Sequence, residues 1–302
     1  MEPGEGSRTV YVGTSAFAAA VLRRLHDSPY RPSLVVTRPD SPHGRGRKLR
    51  PPPAAQAAVE LGLELFQPES INADAARETI ASHRPETVCV CAYGALIKEP
   101  LLSEYRMLNV HPSLLPRWRG AAPIERAILA GDKRTGVSIM VVTAGLDSGP
   151  VCAQAAEEIL PDDDYGTLSA RLERVGGELL VQALGEQPDC AEQTEDEATY
   201  AGKLTPEDRR LDPFAASAAE LALRVRALTP HIGAYLDQPG GGRLGVNKVR
   251  EVPGRGLVPG ELLLEPPRPV LGCAHGALEL LVVQPPGKRP MPTEDYLRGL
   301  RQ

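Results

Sequence analysis

The feature that most constrains the fold is a regular alternation of apolar runs and helix-like segments through residues 1–188. The runs TVYVG, SLVVT, ETVCVC, MLNVH and GVSIMVV are rich in Val, Ile and Leu, and amphipathic or alanine-rich segments stand between them. Strands that alternate with helices form mainly parallel sheets with helices on both faces. We therefore predict that residues 1–188 form an α/β domain with a Rossmann-like, mainly parallel sheet. The first turn has one glycine, Gly13, so the dinucleotide fingerprint G-x-G-x-x-G is absent.

The pattern changes after this domain. Residues 189–208 are polar and lack apolar periodicity, which indicates a linker. In residues 209–302, one helix-like segment precedes short apolar runs such as AYLD, RLGVNKVR, PVLGC and ALELLVV, which are separated by Gly and Pro turns. This spacing is typical of a small antiparallel structure, and we predict a C-terminal β-barrel that resembles the oligonucleotide-binding (OB) fold.

Composition excludes several classes of protein. Apolar residues make up 42% and charged residues 24% of the 302 positions, and no apolar run is long enough to span a bilayer. The segment MEPGEGSRTV does not have the pattern of a secretion signal. Five scattered cysteines without a C-x-x-C pair argue against a disulfide framework and a structural metal, and Cys89 and Cys91 are predicted to pack in the core. We expect a cytoplasmic protein.

Charge is distributed unequally along the chain. The net charge is −5, yet residues 209–302 carry 13 Lys and Arg against 9 Asp and Glu, whereas the first 208 residues carry 21 against 30. A basic C-terminal part favours contact with an anionic partner there.

Three polar residues follow or end predicted strands. Asn109 and His111 are two positions apart, so that an extended chain directs both side chains to one face. Asp147 lies in the segment AGLDSGPV after the run GVSIMVV. Ligands of open α/β sheets bind at the carboxyl ends of strands, so we expect these residues to meet at one edge. An amide, an imidazole and a carboxylate suit a reaction in which a carbonyl oxygen becomes negative and a proton moves.

The segments that carry these residues resemble a known family. NVHPSLLPRWRGAAPI together with GLDSGPV is similar to the formyltransferases that use 10-formyltetrahydrofolate. The segments PRWRGAAPI, TRPDSPHGRGRKL and YAGKLTPEDRRLD are most similar to the members of that family that act on initiator methionyl-tRNA. The similarity extends from about Arg8 to about Pro290, nearly the whole chain.

The resemblance implies roles for individual residues. His111 would polarise the formyl carbonyl, Asn109 would bind the same oxygen, and Asp147 would accept or relay the proton of the attacking amine. The folate site would be lined by two segments, which comprise Ser113, Leu114, Leu115 and Pro116, and Tyr93, Gly94, Ala95 and Leu96. The formyl donor 10-formyltetrahydrofolate would be a co-substrate. Neither a metal, nor a membrane, nor an obligate protein partner is implied.

A basic loop between the second strand and the next helix is the predicted tRNA contact. In the family the matching loop inserts at the acceptor stem, and arginines there can bind phosphates or stack on unpaired bases. Lys248 of the C-terminal part would add a phosphate contact. The predicted tRNA-binding residues are Arg38, Arg45, Arg47, Lys48, Arg50 and Lys248.

The sequence leaves alternatives to this function open. HPSLLP also occurs in formyltransferases for small amines and in formyltetrahydrofolate hydrolases, so the acceptor could instead be an amino sugar nucleotide or water. A non-catalytic RNA-binding protein on the same scaffold is a further alternative, against which the intact Asn109, His111 and Asp147 argue. Ser15 and Pro112 depart from the usual family pattern.

Overall fold

The computed structural model describes residues 8–43, 48–238, 241–254, 256–264 and 268–300. These residues form two compact units. The first unit comprises the described residues of Met1–Gly120, Arg134–Glu158 and Ser169–Tyr200. The second comprises those of Ala121–Lys133, Ile159–Leu168 and Ala201–Gln302. The predicted segment 189–208 is thus divided between the units at Tyr200.

Most elements up to Ala201 belong to the first unit. The strands are β1 (Thr9–Gly13), β2 (Pro32–Val36), β3 (Ser41–His43), β4 (Lys48–Arg50), β5 (Leu65–Phe66), β6 (Thr87–Cys91), β7 (Met107–His111), β8 (Arg119–Gly120), β9 (Arg134–Val141), β10 (Val151–Glu158) and β11 (Tyr200–Ala201). The helices are α1 (Ala16–His26), α2 (Pro53–Glu60), α3 (Asp74–Ser82), α4 (Leu101–Glu104), α5 (Pro123–Leu129) and α6 (Tyr165–Glu186), and a 3-10 turn covers Glu195–Glu197.

The main sheet has seven strands in the order β10-β9-β7-β6-β1-β2-β5. Strands β7, β6, β1, β2 and β5 run parallel, whereas β9 and β10 are antiparallel to their neighbours. The apolar side chains of the central strands are buried, as in β1 and β6, because helices cover the sheet. This confirms the predicted Rossmann-like, mainly parallel sheet.

The first strand–helix turn depends on its glycine. A Cβ at Gly13 would lie 2.8 Å from both the Ala18 Cβ and the Cys91 carbonyl oxygen, so that only glycine fits there. Ser15, one of the departures from the family pattern, caps α1 because its hydroxyl accepts the backbone N–H of Ala18 at 3.2 Å.

The cysteines behave in two ways. Cys89 and Cys91 are buried in β6, and burial raises the pKa of each thiol to about 12, which agrees with the predicted core role. The scattered cysteines argue against a disulfide framework, yet one pair, Cys152 and Cys190, is bonded. The backbones of Val151 and Ala191 pair antiparallel, and this bridge brings together two cysteines that are 38 residues apart.

The second unit contains the C-terminal strands. Its further elements are a 3-10 turn (Glu207–Arg209), α7 (Ala218–Leu228), β12 (Ala234–Asp237), β13 (Arg243–Val252), β14 (Leu262–Leu263), β15 (Val270–Gly272), β16 (Ala277–Gln284), β17 (Met291–Pro292) and α8 (Thr293–Leu300). The strand order is β12-β13-β16-β15-β14, with β17 also paired to β16, and every pair is antiparallel. The predicted change to a small antiparallel domain is therefore confirmed.

Helix α7 packs on this sheet. Ser217 and Glu220 form a reciprocal capping box at its start, and Leu221, Val225 and Leu228 face the core that β13 and β16 also supply. Within the described part of the chain, no helix is long and apolar enough to cross a membrane.

Candidate active site

The site forms where β7 ends. Asn109 pairs with Val90 of β6 and with Met140 of β9, and His111 pairs with Ser138 of β9. Both residues lie on one face of the sheet because they are two positions apart. Strand β9 runs antiparallel to β7, so the last residue of β9 does not lie beside the carboxyl end of β7. The expectation that both strands end at the same edge of the sheet is therefore wrong. The loop after β9 nevertheless returns to His111.

His111 is fixed by a backbone group. Its side chain is buried, with 4% of the residue exposed, and Nε2 lies 2.9 Å from the carbonyl oxygen of Trp118. A carbonyl oxygen only accepts hydrogen bonds, so Nε2 carries a hydrogen and donates it. Nδ1 then faces the Asp147 carboxylate, with Oδ2 at 3.7 Å. The imidazole thus has one nitrogen committed to the protein backbone and the other directed to a carboxylate.

Asp147 is held in an unusual backbone conformation. Its φ is +47°, which is uncommon for a residue with a side chain. The carboxylate Oδ2 accepts the backbone N–H of Gly120 at 2.9 Å, so one oxygen is oriented by a peptide group while the side chain faces His111. Close packing surrounds the loop, since a Cβ at Gly149 would lie 2.0 Å from the Val141 carbonyl oxygen.

The proline-containing loop after β7 is bonded internally and to the sheet. The Ser113 hydroxyl donates to the Arg117 carbonyl at 2.6 Å. The Ser138 hydroxyl donates to the Ser113 carbonyl at 2.6 Å and accepts the N–H of Leu115 at 3.1 Å. The Gln154 side-chain amide donates to the Leu115 carbonyl at 2.8 Å. These bonds fix the backbone that presents the predicted folate residues.

The predicted folate residues differ in exposure. Ser113 and Leu115 are buried, whereas Leu114 and Pro116 are half-buried. In the second predicted segment, Tyr93, Gly94, Ala95 and Leu96, the tyrosine is buried and the other three residues are exposed. Burial raises the pKa of the Tyr93 phenol, which therefore remains neutral at physiological pH.

Apolar side chains are exposed in two of the loops that carry predicted site residues. Leu96 is 64% exposed, and Leu146, the neighbour of Asp147, is 63% exposed.

On the two sides of residues 44–47, the predicted basic loop consists of two paired strands, which we call the β3–β4 hairpin. Strands β3 and β4 pair from Ser41–Arg50 to His43–Lys48, and Lys48 and Arg50 are exposed. Arg45 and Arg47 lie outside the described residues. Arg38 is exposed and its guanidinium donates to the Gly94 carbonyl at 3.1 Å, next to the second predicted folate segment. Lys248 is exposed on β13 in the second unit.

Several residues around the site were not predicted from the sequence. Arg119 is 2% exposed, and its guanidinium bonds Gln193 and Glu195 at 2.9 and 2.8 Å. The Thr199 hydroxyl accepts the N–H of Trp118 at 2.9 Å. Three of these partners come from the segment 189–208, whose polar composition gave no signal of a role at the site.

The fold and the site define a doubly wound α/β protein with an amide, an imidazole and a carboxylate at a strand end. Comparison with known proteins gives the family. The formyl transferase family matches residues 7–184, and the formyl transferase C-terminal domain matches residues 203–301. The chain therefore belongs to the formyl transferase family.

Two relatives of similar length are methionyl-tRNA formyltransferases. The chain is 40% identical to the methionyl-tRNA formyltransferase of Methylococcus capsulatus, over 97% of this chain and 96% of that protein. It is 43% identical to the methionyl-tRNA formyltransferase of Thermus thermophilus, with the same coverage of both chains. Among solved structures, HypX from Aquifex aeolicus in complex with tetrahydrofolic acid has a TM-score of 0.68 at 16% identity. That match covers 97% of this chain and 47% of HypX, and it shows the shared fold.

Proposed function

We propose that this protein transfers the formyl group of 10-formyltetrahydrofolate to the α-amino group of methionine on initiator methionyl-tRNA, in the cytoplasm. The observation that carries the proposal is the similarity to methionyl-tRNA formyltransferases along 97% of the chain. The local support is the pairing of His111 with Asp147 at the end of β7, with Asn109 on the same strand.

The reaction assigns a task to each polar group. The amine nitrogen attacks the formyl carbon, the carbonyl oxygen becomes negative, and Asn109 and His111 stabilise that oxygen. The Nε2 hydrogen of His111 is bonded to the Trp118 carbonyl, so a hydrogen bond from His111 to the oxyanion would come from Nδ1.

Asp147 has a second task as the proton acceptor. It takes the proton of the attacking amine, directly or through a water molecule. The intermediate then collapses: the bond between the formyl carbon and N10 breaks, the new amide bond remains, and N10 takes the proton that Asp147 had accepted. Tetrahydrofolate leaves, and Asp147 is restored as a carboxylate. The step requires no metal.

Binding is assigned to separate segments. Residues 1–188 would hold folate and the chemistry, residues 189–208 would connect the two parts and also contact the site loops, and the OB-like residues 209–302 would contact tRNA. The folate ligand would contact the two loops comprising Ser113, Leu114, Leu115 and Pro116, and Tyr93, Gly94, Ala95 and Leu96. The tRNA would contact Arg38, Arg45, Arg47, Lys48, Arg50 and Lys248, four of which belong to the hairpin region.

The decisive experiment is formyl transfer from 10-formyltetrahydrofolate to methionyl initiator tRNA, with Arg45→Ala measured beside the unchanged protein. Strong activity that collapses in the variant would support both the acceptor and the role of the basic loop. Folate binding without activity on this tRNA would instead favour an amino sugar nucleotide or water as the acceptor, and would leave the roles of Asn109, His111 and Asp147 to be tested with those acceptors.

A further inference from the structure

One side chain from the predicted linker bonds the loop that carries Asp147. The Gln193 amide nitrogen donates to the carbonyl oxygens of Asp147 and Gly149, at 2.9 and 2.7 Å. Its amide oxygen accepts the Nε hydrogen of Arg119 at 2.9 Å. Both amide hydrogens and the amide oxygen of Gln193 are therefore used, and they connect two loops that are far apart in sequence.

Arg119 stands between the two residues that contact the His111–Asp147 pair. Trp118, on one side, supplies the carbonyl that accepts from His111, and Gly120, on the other, supplies the N–H that donates to Asp147. The buried guanidinium pairs with Glu195, and within the described ranges its Nη2 has no hydrogen-bond partner. Loss of a partner from a buried charge is costly, so the bonds to Gln193 and Glu195 hold Arg119 in place.

The segment that supplies Gln193 is itself anchored. Ala191 exchanges two backbone hydrogen bonds with Val151, at 2.8 and 2.9 Å, and Cys190 is bonded to Cys152. Gln193 follows two residues after this anchor, so its side chain starts from a fixed position on the first unit. This arrangement preorganises the amide before any substrate binds.

We propose that Gln193 is a positioning residue that holds the Asp147 loop against His111. This inference rests on the proposed function of Asp147 as a proton acceptor. The left-handed backbone of Asp147 is intrinsically unfavourable and persists only where surrounding contacts determine it. The two bonds from Gln193 supply such contacts at the Asp147 and Gly149 carbonyls. Arg119 extends the same connection to the residues that orient His111.

The test is Gln193→Glu in the full chain. A glutamate has nearly the same shape and still accepts from Arg119, but an ionised carboxylate cannot donate to the Asp147 and Gly149 carbonyls. We expect kcat for formyl transfer to fall about 10- to 100-fold, because small misplacements of a catalytic group have effects of that size. KM for both substrates should stay within about twofold, since the substrate contacts remain. Gln182→Glu, on the exposed side of α6, is the charge-matched control.

A double-mutant cycle separates positioning from a general loss of structure. In an Asp147→Asn background, single-turnover assays should show little further loss from Gln193→Glu, because residues that act through one group are not additive. An equal loss in both backgrounds, or a change confined to KM, overturns the inference.

Backbone amide hydrogen exchange gives a second measurement that does not depend on the acceptor. Gln193→Glu should accelerate exchange in the peptide that covers residues 144–149 relative to wild type and to Gln182→Glu. Unchanged exchange overturns the positioning role whatever the activity. If Gln193→Glu accelerates exchange but the wild-type protein forms no formyl-methionyl-tRNA, the proposed function is refuted. The role of Gln193 in ordering the loop is then still supported.

Discussion

The loops around His111 and the β3–β4 hairpin differ in how firmly their polar groups are held. His111 is 4% exposed and bonded to a carbonyl, and its surrounding loops are joined by Ser138, Gln154 and Gln193. On the hairpin, Lys48 and Arg50 are exposed, and Leu49 between them is 67% exposed. Acyl transfer requires groups fixed to a fraction of an ångström, whereas phosphate contacts act over longer distances. This difference predicts that the first region, the loops around His111, determines kcat. The second region, the β3–β4 hairpin, should determine tRNA affinity.

The largest effect is expected at His111. His111→Ala removes the imidazole that would stabilise the oxyanion, and kcat should fall about 10²- to 10⁴-fold, while tRNA affinity should be unchanged. Single-turnover formylation and a filter-binding assay measure the two quantities. His275→Ala, at an exposed position of the second unit, is the matched control and should retain wild-type rates. If His111→Ala loses tRNA affinity but keeps its rate of formylation, the loops around His111 determine tRNA affinity and not kcat.

Asn109→Asp should have the next largest effect. The substitution keeps the shape of the side chain, removes its N–H donor and adds negative charge where the carbonyl oxygen becomes negative. Loss of one oxyanion donor predicts a decrease of about 10²- to 10³-fold in kcat with little change in KM. Steady-state kinetics at saturating and limiting folate measure both parameters. If the decrease appears only in KM for folate, then Asn109 binds the donor and does not stabilise the transition state.

The parts of the site that could be predicted from sequence are local ones. Apolar runs of five residues and the glycine turn at Gly13 predict β1, β6 and β7, and they place Asn109 and His111 at a strand end because these are properties of consecutive residues. The sequence predicts that Asp147 comes near His111 on the premise that β9 is parallel to β7, but β9 is antiparallel and the loop returns by another path.

The contacts of the polar segment 189–208 could not be predicted from one sequence. Gln193, Glu195 and Thr199 stand in a stretch without periodicity, and the side-chain hydrogen bonds that join them to the site loops reach partners between 44 and 81 residues away. The same holds for the bond between Cys152 and Cys190, which depends on a backbone bridge between distant segments. Such pairings are decided by tertiary packing, which local patterns do not contain.

A double substitution on the hairpin tests the second region. Lys48→Ala combined with Arg50→Ala should weaken binding of initiator tRNA about 5- to 25-fold at physiological salt and leave kcat at saturating tRNA unchanged. The slope of log affinity against log salt should become less steep by about 1.5, since two phosphate contacts are lost. The control removes two cations of surface ion pairs, Arg23 and Arg174, whose contribution to stability is small. A decrease in kcat would mean that the hairpin also orders the active site.

The smallest effect is expected at Lys248, which lies on β13 of the second unit. Lys248→Ala should weaken tRNA binding about two- to fivefold, uniformly across tRNA sequences, and reduce the salt slope by about 0.8. Arg250, two residues further on the same strand, is the informative comparison because Glu279 already neutralises it at 2.8 Å. Within the described ranges Lys248 has no carboxylate partner, so its charge is available to a phosphate. Arg250→Ala should therefore weaken binding less than Lys248→Ala, and the reverse order would place the tRNA nearer to Arg250 than to Lys248.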